Sequence, residues 1–227
     1  MKKIVLLWIA FSFVSNLLHA QRRQHLNKGD LFARLTITDL INPLDNAVTV
    51  GVAYMMHMRW AIAADAGYIF NSANSDGVRN NNTKGLLSKA ALQWHYTKSK
   101  RSFVELMGYY KRYNYFTNGW LGIDCTGGVP AYQQWTAYKT RKEITGAVLK
   151  WGYTGQLGKK GKLWYEVSAG FTFKNVTQKP IDQPANTCII ETISNTTFSG
   201  ATDTPLEANP GVQAGFKLLY RLKQKQH

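Results

Sequence analysis

What this chain has little of narrows its class first. Charged residues make up 18% of the 227 residues and mean hydropathy is −0.29, which excludes a helical membrane protein. The one long apolar run stands at the very start, where Lys2 and Lys3 precede IVLLWIAFSFVSNLL and then His19 and Ala20. A basic start, a short apolar stretch and a small residue before a cut predict a secretory signal peptide over residues 1–20, with Gln21 first in the mature chain. The alternative, an N-terminal membrane helix, needs about 20 apolar residues. Cysteine is scarce too, with Cys125 and Cys188 the only two. Neither lies near Ala20, so no lipoprotein anchor is expected. In an oxidising compartment an even count invites a Cys125–Cys188 disulfide, with two free thiols as the alternative.

Acidic residues are outnumbered, 13 against 28 basic, for a net charge of +15. Nucleic acid is the reflex partner at an isoelectric point near 9.8, but an exported chain rarely meets it, and no nucleic-acid partner is expected. Much of the excess gathers in KSKR (Lys98, Lys100, Arg101), in GKKGK (Lys159, Lys160, Lys162) and in the tail (Arg221, Lys223, Lys225). Solvated turn residues explain that distribution, and attraction to anionic lipid headgroups is a second use for it. Catalytic signatures are missing as well. His25, His57, His95 and His227 stand in no HExxH or similar ligand pattern, and neither a GxSxG elbow nor a glycine-rich phosphate loop occurs. The expectation is therefore a protein that is not an enzyme and carries no metal or cofactor.

What is present is alternation. From Ile144 to Lys174, Ala147, Leu149, Trp151 and Tyr153 share one parity, and after GKKG so do Leu163, Tyr165, Val167, Ala169, Phe171 and Phe173. Side chains along a strand point alternately to opposite faces, so this stretch predicts a long antiparallel hairpin with one apolar face. Its aromatics gather beside the turn and again at the far end, with small aliphatics between, as on a lipid-facing strand. The unit repeats. Apolar parities run through Leu31–Ile37, Val48–Tyr54, Trp60–Phe70, Leu86–Tyr96, Val104–Tyr110 and Val212–Leu222. Short connections at 56–59, 97–101 and 157–161 alternate with longer ones at 71–84, 115–142 and 175–209, and 40–46 is the short exception. Such sorting predicts an all-β fold: a single antiparallel up-and-down transmembrane β-barrel of about eight strands, with short periplasmic turns and long extracellular loops.

The domain reading is a signal peptide at 1–20, a loosely held periplasmic lead-in at 21–30, the barrel at 31–222 and a basic tail at 223–227. An aromatic girdle of Trp60, Trp94, Tyr96, Trp151, Tyr153, Tyr165 and Tyr220 falls on the apolar parity near strand ends. The opposite parity carries Arg34, Lys89, Lys111, Lys150, Lys217 and Arg221 with Asp65, Glu105 and Glu166, joined by Gln93, His95 and Gln213. Charges withdrawn from water must pair, so these residues predict a lumen network. Their cationic surplus leaves room for an anion or water. An eight-stranded barrel holds such side chains and little else, which disfavours a solute pore. Trp120, Tyr132, Trp135 and Tyr138 are expected in the outer connections, packed on the rim or facing a partner.

The strand AVTVGVAY, its partner RWAIAADAGYIF and the pair GLLSKAALQWHYTKSKRSFVELMGYYKRY resemble the small outer-membrane β-barrel proteins of Bacteroidetes type, including an uncharacterised family of eight-stranded barrels. The likeness runs from about Leu31 to Leu222, and the tail beyond Tyr220 and Leu222 departs from the aromatic closing strand usual there. The resemblance implies a location in the bacterial outer membrane, with lipid, lipopolysaccharide and the barrel-assembly machinery as partners, and no assigned activity. Two other readings compete with a structural or surface-interaction barrel. One is a lipid-modifying barrel enzyme, which needs a Ser-His pair facing lipid. The other is a secreted lipocalin-like barrel, which needs the apolar parity turned inward around a ligand.

Overall fold

The alternation becomes pairing. The computed structural model describes residues 26–42, 45–72, 81–97, 99–124, 129–157, 161–181, 188–189 and 209–223. The predicted signal peptide, residues 21–25 of the lead-in, Lys98, Lys159, Lys160 and residues 224–227 of the tail lie outside them. The strands are β1 (Leu31–Thr36), β2 (Asp45–Met55), β3 (Trp60–Ser72), β4 (Asn81–His95), β5 (Ser102–Ile123), β6 (Tyr132–Leu157), β7 (Leu163–Pro180), β8 (Cys188–Ile189) and β9 (Asn209–Lys223); one helical turn, α1 (Ile37–Leu40), follows β1. Each long strand pairs antiparallel with its neighbours in sequence, and β9 returns to β1, closing an eight-stranded up-and-down barrel with β8 as a short addition on β5.

Closure is made by β1 and β9, whose ladder sets Leu35 opposite Leu218, Ala33 opposite Tyr220 and Thr36 opposite Lys217. Both free strand ends therefore lie at one end of the barrel, here the near end, together with the connections at 56–59, 96–101 and 158–162. Because the side-chain period of a strand is two, one register serves the whole circumference. Val50, Ile62, Leu92, Leu106, Leu149, Phe171 and Val212 are exposed, whereas Arg34, Thr49, Asp65, Gln93, Glu105, Lys150, Glu166 and Lys217 are buried. The apolar parity is the outside of the barrel and the charged parity the inside.

Several segments depart from the sequence expectation, among them the expected loops 71–84 and 175–209, into which β4 and β7 extend and in which β8 lies. The stretch 115–142, expected as a loop, is a continuation of β5 and β6, paired without interruption from Ser102↔Tyr153 to Ile123↔Tyr132. Alternation there is masked by aromatics on both parities, such as Tyr115 and Phe116 on β5 and Tyr132 and Trp135 on β6. Phe116 is the last β5 residue paired with β4, opposite Asn81, and Thr140 the last of β6 paired with β7, opposite Pro180. The rest of the two strands forms a ribbon rising roughly 20 Å above the barrel rim. Residues Leu26–Asp30, read as loosely held, are instead tied in: Gly29 N donates to the Met55 carbonyl at 2.8 Å, Met55 N to the Asp30 carbonyl at 3.0 Å, and Leu26 is buried. Finally, β1 stops at Thr36, and α1 turns Asp39 inward.

Interior packing is layered. Near the barrel's near end Leu26, Phe32, Ala53, Met55, Ala61, Ala63, Trp164 and Leu219 form one apolar cluster, and at the far end Ala47, Ile69, Leu87, Tyr113, Tyr115 and Ile144 form another. The ionic groups sit between them. Space there is made by close backbone approach, most plainly at Gly51, which lies opposite Asp65 in the β2–β3 ladder. A Cβ added to Gly51 would meet Asp65 Oδ1 at 2.1 Å and the Ala64 carbonyl at 2.4 Å. Backbone cannot move aside as a flexible side chain can. Gly51→Ala is expected to lower the heat stability of the detergent-folded barrel by about 1–3 kcal/mol, the range for overpacking; an unchanged melting temperature would contradict this account of the β2–β3 spacing.

Candidate functional site

The interior is organised about Glu105, which is completely buried. Its position near the start of β5, on the inward parity, directs it to the barrel axis, where side chains from four other strands converge. Gln93 of β4 donates through Nε2 to Glu105 Oε2 at 2.6 Å. Lys217 of β9 places Nζ 3.3 Å from Oε2, and Lys150 of β6 places Nζ 3.6 Å from Oε1. Arg34 of β1 stands 3.9 Å from the same carboxylate and 3.5 Å from Asp65 of β3, at ion-pair rather than hydrogen-bond distances. Glu166 of β7 is a second, looser acceptor, 3.9 Å from Lys217 and 3.4 and 3.5 Å from Gln93.

Above this centre, toward the far end, Lys89 pairs with Asp39 of α1 and donates a hydrogen bond to it. Lys111 lies 3.2 Å from Asp45, which also accepts from the Tyr113 hydroxyl at 2.9 Å. Below it, Arg221 is 3.3 Å from Asp30, and its guanidinium lies 4.9 Å from the Trp164 ring and 5.4 Å from that of Phe32. A cation held over an aromatic ring contributes ~0.5–2 kcal/mol. His95 is buried, with Nδ1 2.9 Å from the Lys100 carbonyl and its ring on Phe103.

Of the nine charged residues predicted for the lumen, eight are buried and Lys111 is half-buried, in three clusters rather than one; Glu105 meets its ladder neighbours Gln93 and Lys150 and Glu166 its neighbour Lys217, but other partners are not those of the ladder. Asp65 and Lys89 are cross-strand neighbours, yet Asp65 turns to Arg34 and Lys89 to Asp39. Three buried carboxylates, Asp30, Asp39 and Asp45, were missed. Each lies off the regular alternation: in the lead-in, on α1 and at the first residue of β2. The signal available for them was the cationic surplus itself. With them, Arg34, Lys89, Lys111, Lys150, Lys217 and Arg221 face six carboxylates, while Lys142 and Lys174 add two half-buried cations on the same parity toward the far end. Gln213 is half-buried.

On the outside, Trp60, Trp94, Tyr96, Trp151, Tyr153 and Tyr220 are exposed around the near end, and Tyr165 is half-buried where its ring covers Gly155. Trp60 stacks on Trp94 at 6.3 Å, Trp94 contacts Tyr96 at 6.0 Å, and Tyr153 meets Tyr165 at 6.4 Å. Tyr68, Phe70, Tyr110 and Phe173 form a second exposed aromatic set toward the far end, while Phe171 packs edge-on to Trp151 at 6.2 Å. On the ribbon, Trp120 packs edge-on to Trp135 at 5.5 Å, and Tyr132 is exposed beside them. Tyr138 lies on β6 in the same ribbon. Of the expected Cys125–Cys188 bridge, Cys125 lies outside the described residues, and Cys188 is in β8, whose backbone pairs with Gly122.

Among the described residues no cluster of three or more His, Cys, Asp or Glu could hold a metal ion. A cavity of about 10 Å³ lies between the near-end apolar cluster and Gln93, His95 and Glu166, no larger than one water requires. Geometry and packing thus define an antiparallel eight-stranded barrel that is apolar outside and ionic within. The chain matches no family model, no curated protein and no solved structure.

Removing one partner of a buried ionic cluster strands the rest, at a cost of ~3–5 kcal/mol. Glu105→Ala is expected to destabilise the detergent-folded barrel by about that amount in urea unfolding, and Glu166→Ala by clearly less, since its contacts are longer. Equal losses, or a smaller one for Glu105→Ala, would show that Glu105 is not the centre of the network.

Proposed function

We propose that this chain is an integral outer-membrane β-barrel with a packed, non-conducting lumen, acting as a structural or surface-interaction element through its far end. One observation carries the reading: the closed barrel turns its aliphatic side chains outward between two sets of aromatics and its charges inward. In water that arrangement exposes a continuous apolar surface, whereas soluble monomers limit such patches to a few hundred Å². In a bilayer the same surface faces hydrocarbon, and the β1–β9 ladder closes the barrel, with α1 meeting β9 beyond the end of β1 through the Phe216 N to Thr38 Oγ1 contact. The near end, with both strand termini and the turns at 56–59, 96–101 and 158–162, is then periplasmic, and the predicted signal peptide would bring the chain there. Lipid and lipopolysaccharide would surround the barrel after insertion by the assembly machinery, in keeping with the Bacteroidetes-type resemblance.

The buried ionic centre supports a closed lumen, because a conducting path would need water where Glu105, Lys150, Lys217 and Arg34 now touch. Against a lipocalin-like barrel stand the inward charges and a cavity too small for an apolar ligand. A lipid-modifying enzyme finds little support in His95, which faces inward and is engaged by the Lys100 carbonyl. At the far end, the β5–β6 ribbon offers Trp120, Tyr132 and Trp135 to a surface partner, since exposed aromatics are the usual anchors of such contacts.

Expressed with its leader, the protein is expected in the outer-membrane fraction, with gel mobility that shifts on boiling. A soluble protein whose mobility does not shift would contradict the proposal.

A further inference from the structure

The outward face at the far end is not uniform. On the half of the circumference made by β4, β5, β6 and β7, the ladders set Lys84 opposite Asn114, Asn114 opposite Arg141 and Arg141 opposite Lys179. These four residues form one row across four adjacent strands, all on the exterior parity. Neighbouring strands are ~4.8 Å apart, so the row spans roughly 14 Å. The adjacent row on the barrel side runs Leu86, Arg112, Glu143 and Thr177. Lys139 lies one row further out, opposite Phe116. Among the described residues, the cations of these two rows, Lys84, Arg112, Arg141 and Lys179, stand with one carboxylate, Glu143, which is already engaged by Arg112 at 3.4 Å. Lys84 and Lys179 are exposed, and the Arg141 Nε is held toward Asn114 Oδ1 at 3.5 Å.

Position makes this more than a solvated edge. The cations lie just beyond the apolar band, two residues past Leu86 on β4 and two past Tyr110 on β5. On the other half, Leu35, Leu40, Ile41, Val48, Phe70 and Val212 occupy the exterior at this end, and among the described residues no charged side chain faces out there. Turn lysines that merely keep strand ends wet have no reason to collect on one side. A multivalent anion held at the level where hydrocarbon gives way to headgroup would answer both the charge and the location, since Arg and Lys bind phosphate through charge-assisted hydrogen bonds.

We infer that the exterior row Lys84–Asn114–Arg141–Lys179, with Arg112 beside it, binds the phosphate groups of a phosphorylated lipid headgroup in the outer leaflet. The inference rests on the outer-membrane reading. The barrel's acyl-facing neighbours Leu86, Tyr110 and Phe173 would contact the same lipid's chains.

The test reconstitutes the full mature chain into vesicles of zwitterionic phospholipid doped with a diphosphorylated glycolipid or with its enzymatically dephosphorylated form, and measures which lipid is retained on purification. Wild type is expected to retain the phosphorylated form, and Lys84→Ala/Arg141→Ala/Lys179→Ala to retain about a hundredfold less, at ~1 kcal/mol per cation near a charged surface. Arg59→Ala/Lys162→Ala, at the opposite end, should behave as wild type. Free inorganic phosphate should compete only weakly; competition at equal concentration would assign the row to a soluble anion and overturn the lipid proposal. A wild-type barrel that inserts but retains both glycolipids equally overturns this inference and leaves the membrane reading standing. A wild-type chain that fails to insert overturns both.

Discussion

The burial of one carboxylate constrains the rest of this structure. Glu105 has no access to water, and a bare carboxylate in such a place would cost far more than any barrel's stability. It is tolerated because Gln93, Lys150, Lys217 and Arg34 reach it from four different strands. Gln93 and Lys150 are its ladder neighbours on β4 and β6, whereas Lys217 and Arg34 reach it across the barrel and so fix the strands' relative positions through the interior. The same groups could not exist in this form if the barrel opened, since each cation would then be stranded as well.

Layering makes that centre workable. Apolar clusters above and below exclude water, which strengthens each ionic contact and raises the penalty for leaving one unmade. The outlying pairs, Lys89 with Asp39, Lys111 with Asp45 and Arg221 with Asp30, close the two ends with segments that are not barrel strands or lie at a strand's first residue. A lead-in and a single helical turn thereby become part of the core. The exterior is simpler: it presents aliphatic surface framed by aromatics, and in the proposed membrane setting its stability there comes from lipid rather than from packing within the chain.

Much of this was legible from alternation. Strand number, antiparallel order and the two faces follow from a period of two that persists in segments such as Trp60–Phe70 and Leu86–Tyr96. The full length of β5 and β6 was not legible, because Tyr115 and Phe116 on β5 and Tyr132 and Trp135 on β6 put aromatics on both parities, and a ribbon free of the barrel has no single buried face to impose alternation. Ion partners were legible only in part, where register sets Glu105 beside Lys150 and Glu166 beside Lys217. Register places Asp65 beside Lys89, but long side chains choose among several neighbours, and Asp39 reaches Lys89 only because β1 ends in a helical turn. Buried Asp30 and Asp45 carry no periodic signal; their presence was implied only by the excess of inward cations.

The central claim is that the apolar parity faces hydrocarbon while the opposite parity is sealed inside. Two variants can separate these faces, one keeping Trp151 and the other Trp164 as the sole tryptophan, with phenylalanine at the other positions. Trp151 is exposed on the exterior, whereas Trp164 is buried, with Nε1 donating to the Gly161 carbonyl at 2.8 Å. In vesicles of brominated lipid, the account predicts strong quenching of Trp151 fluorescence and little of Trp164. Equal quenching, or quenching of Trp164 alone, would contradict it.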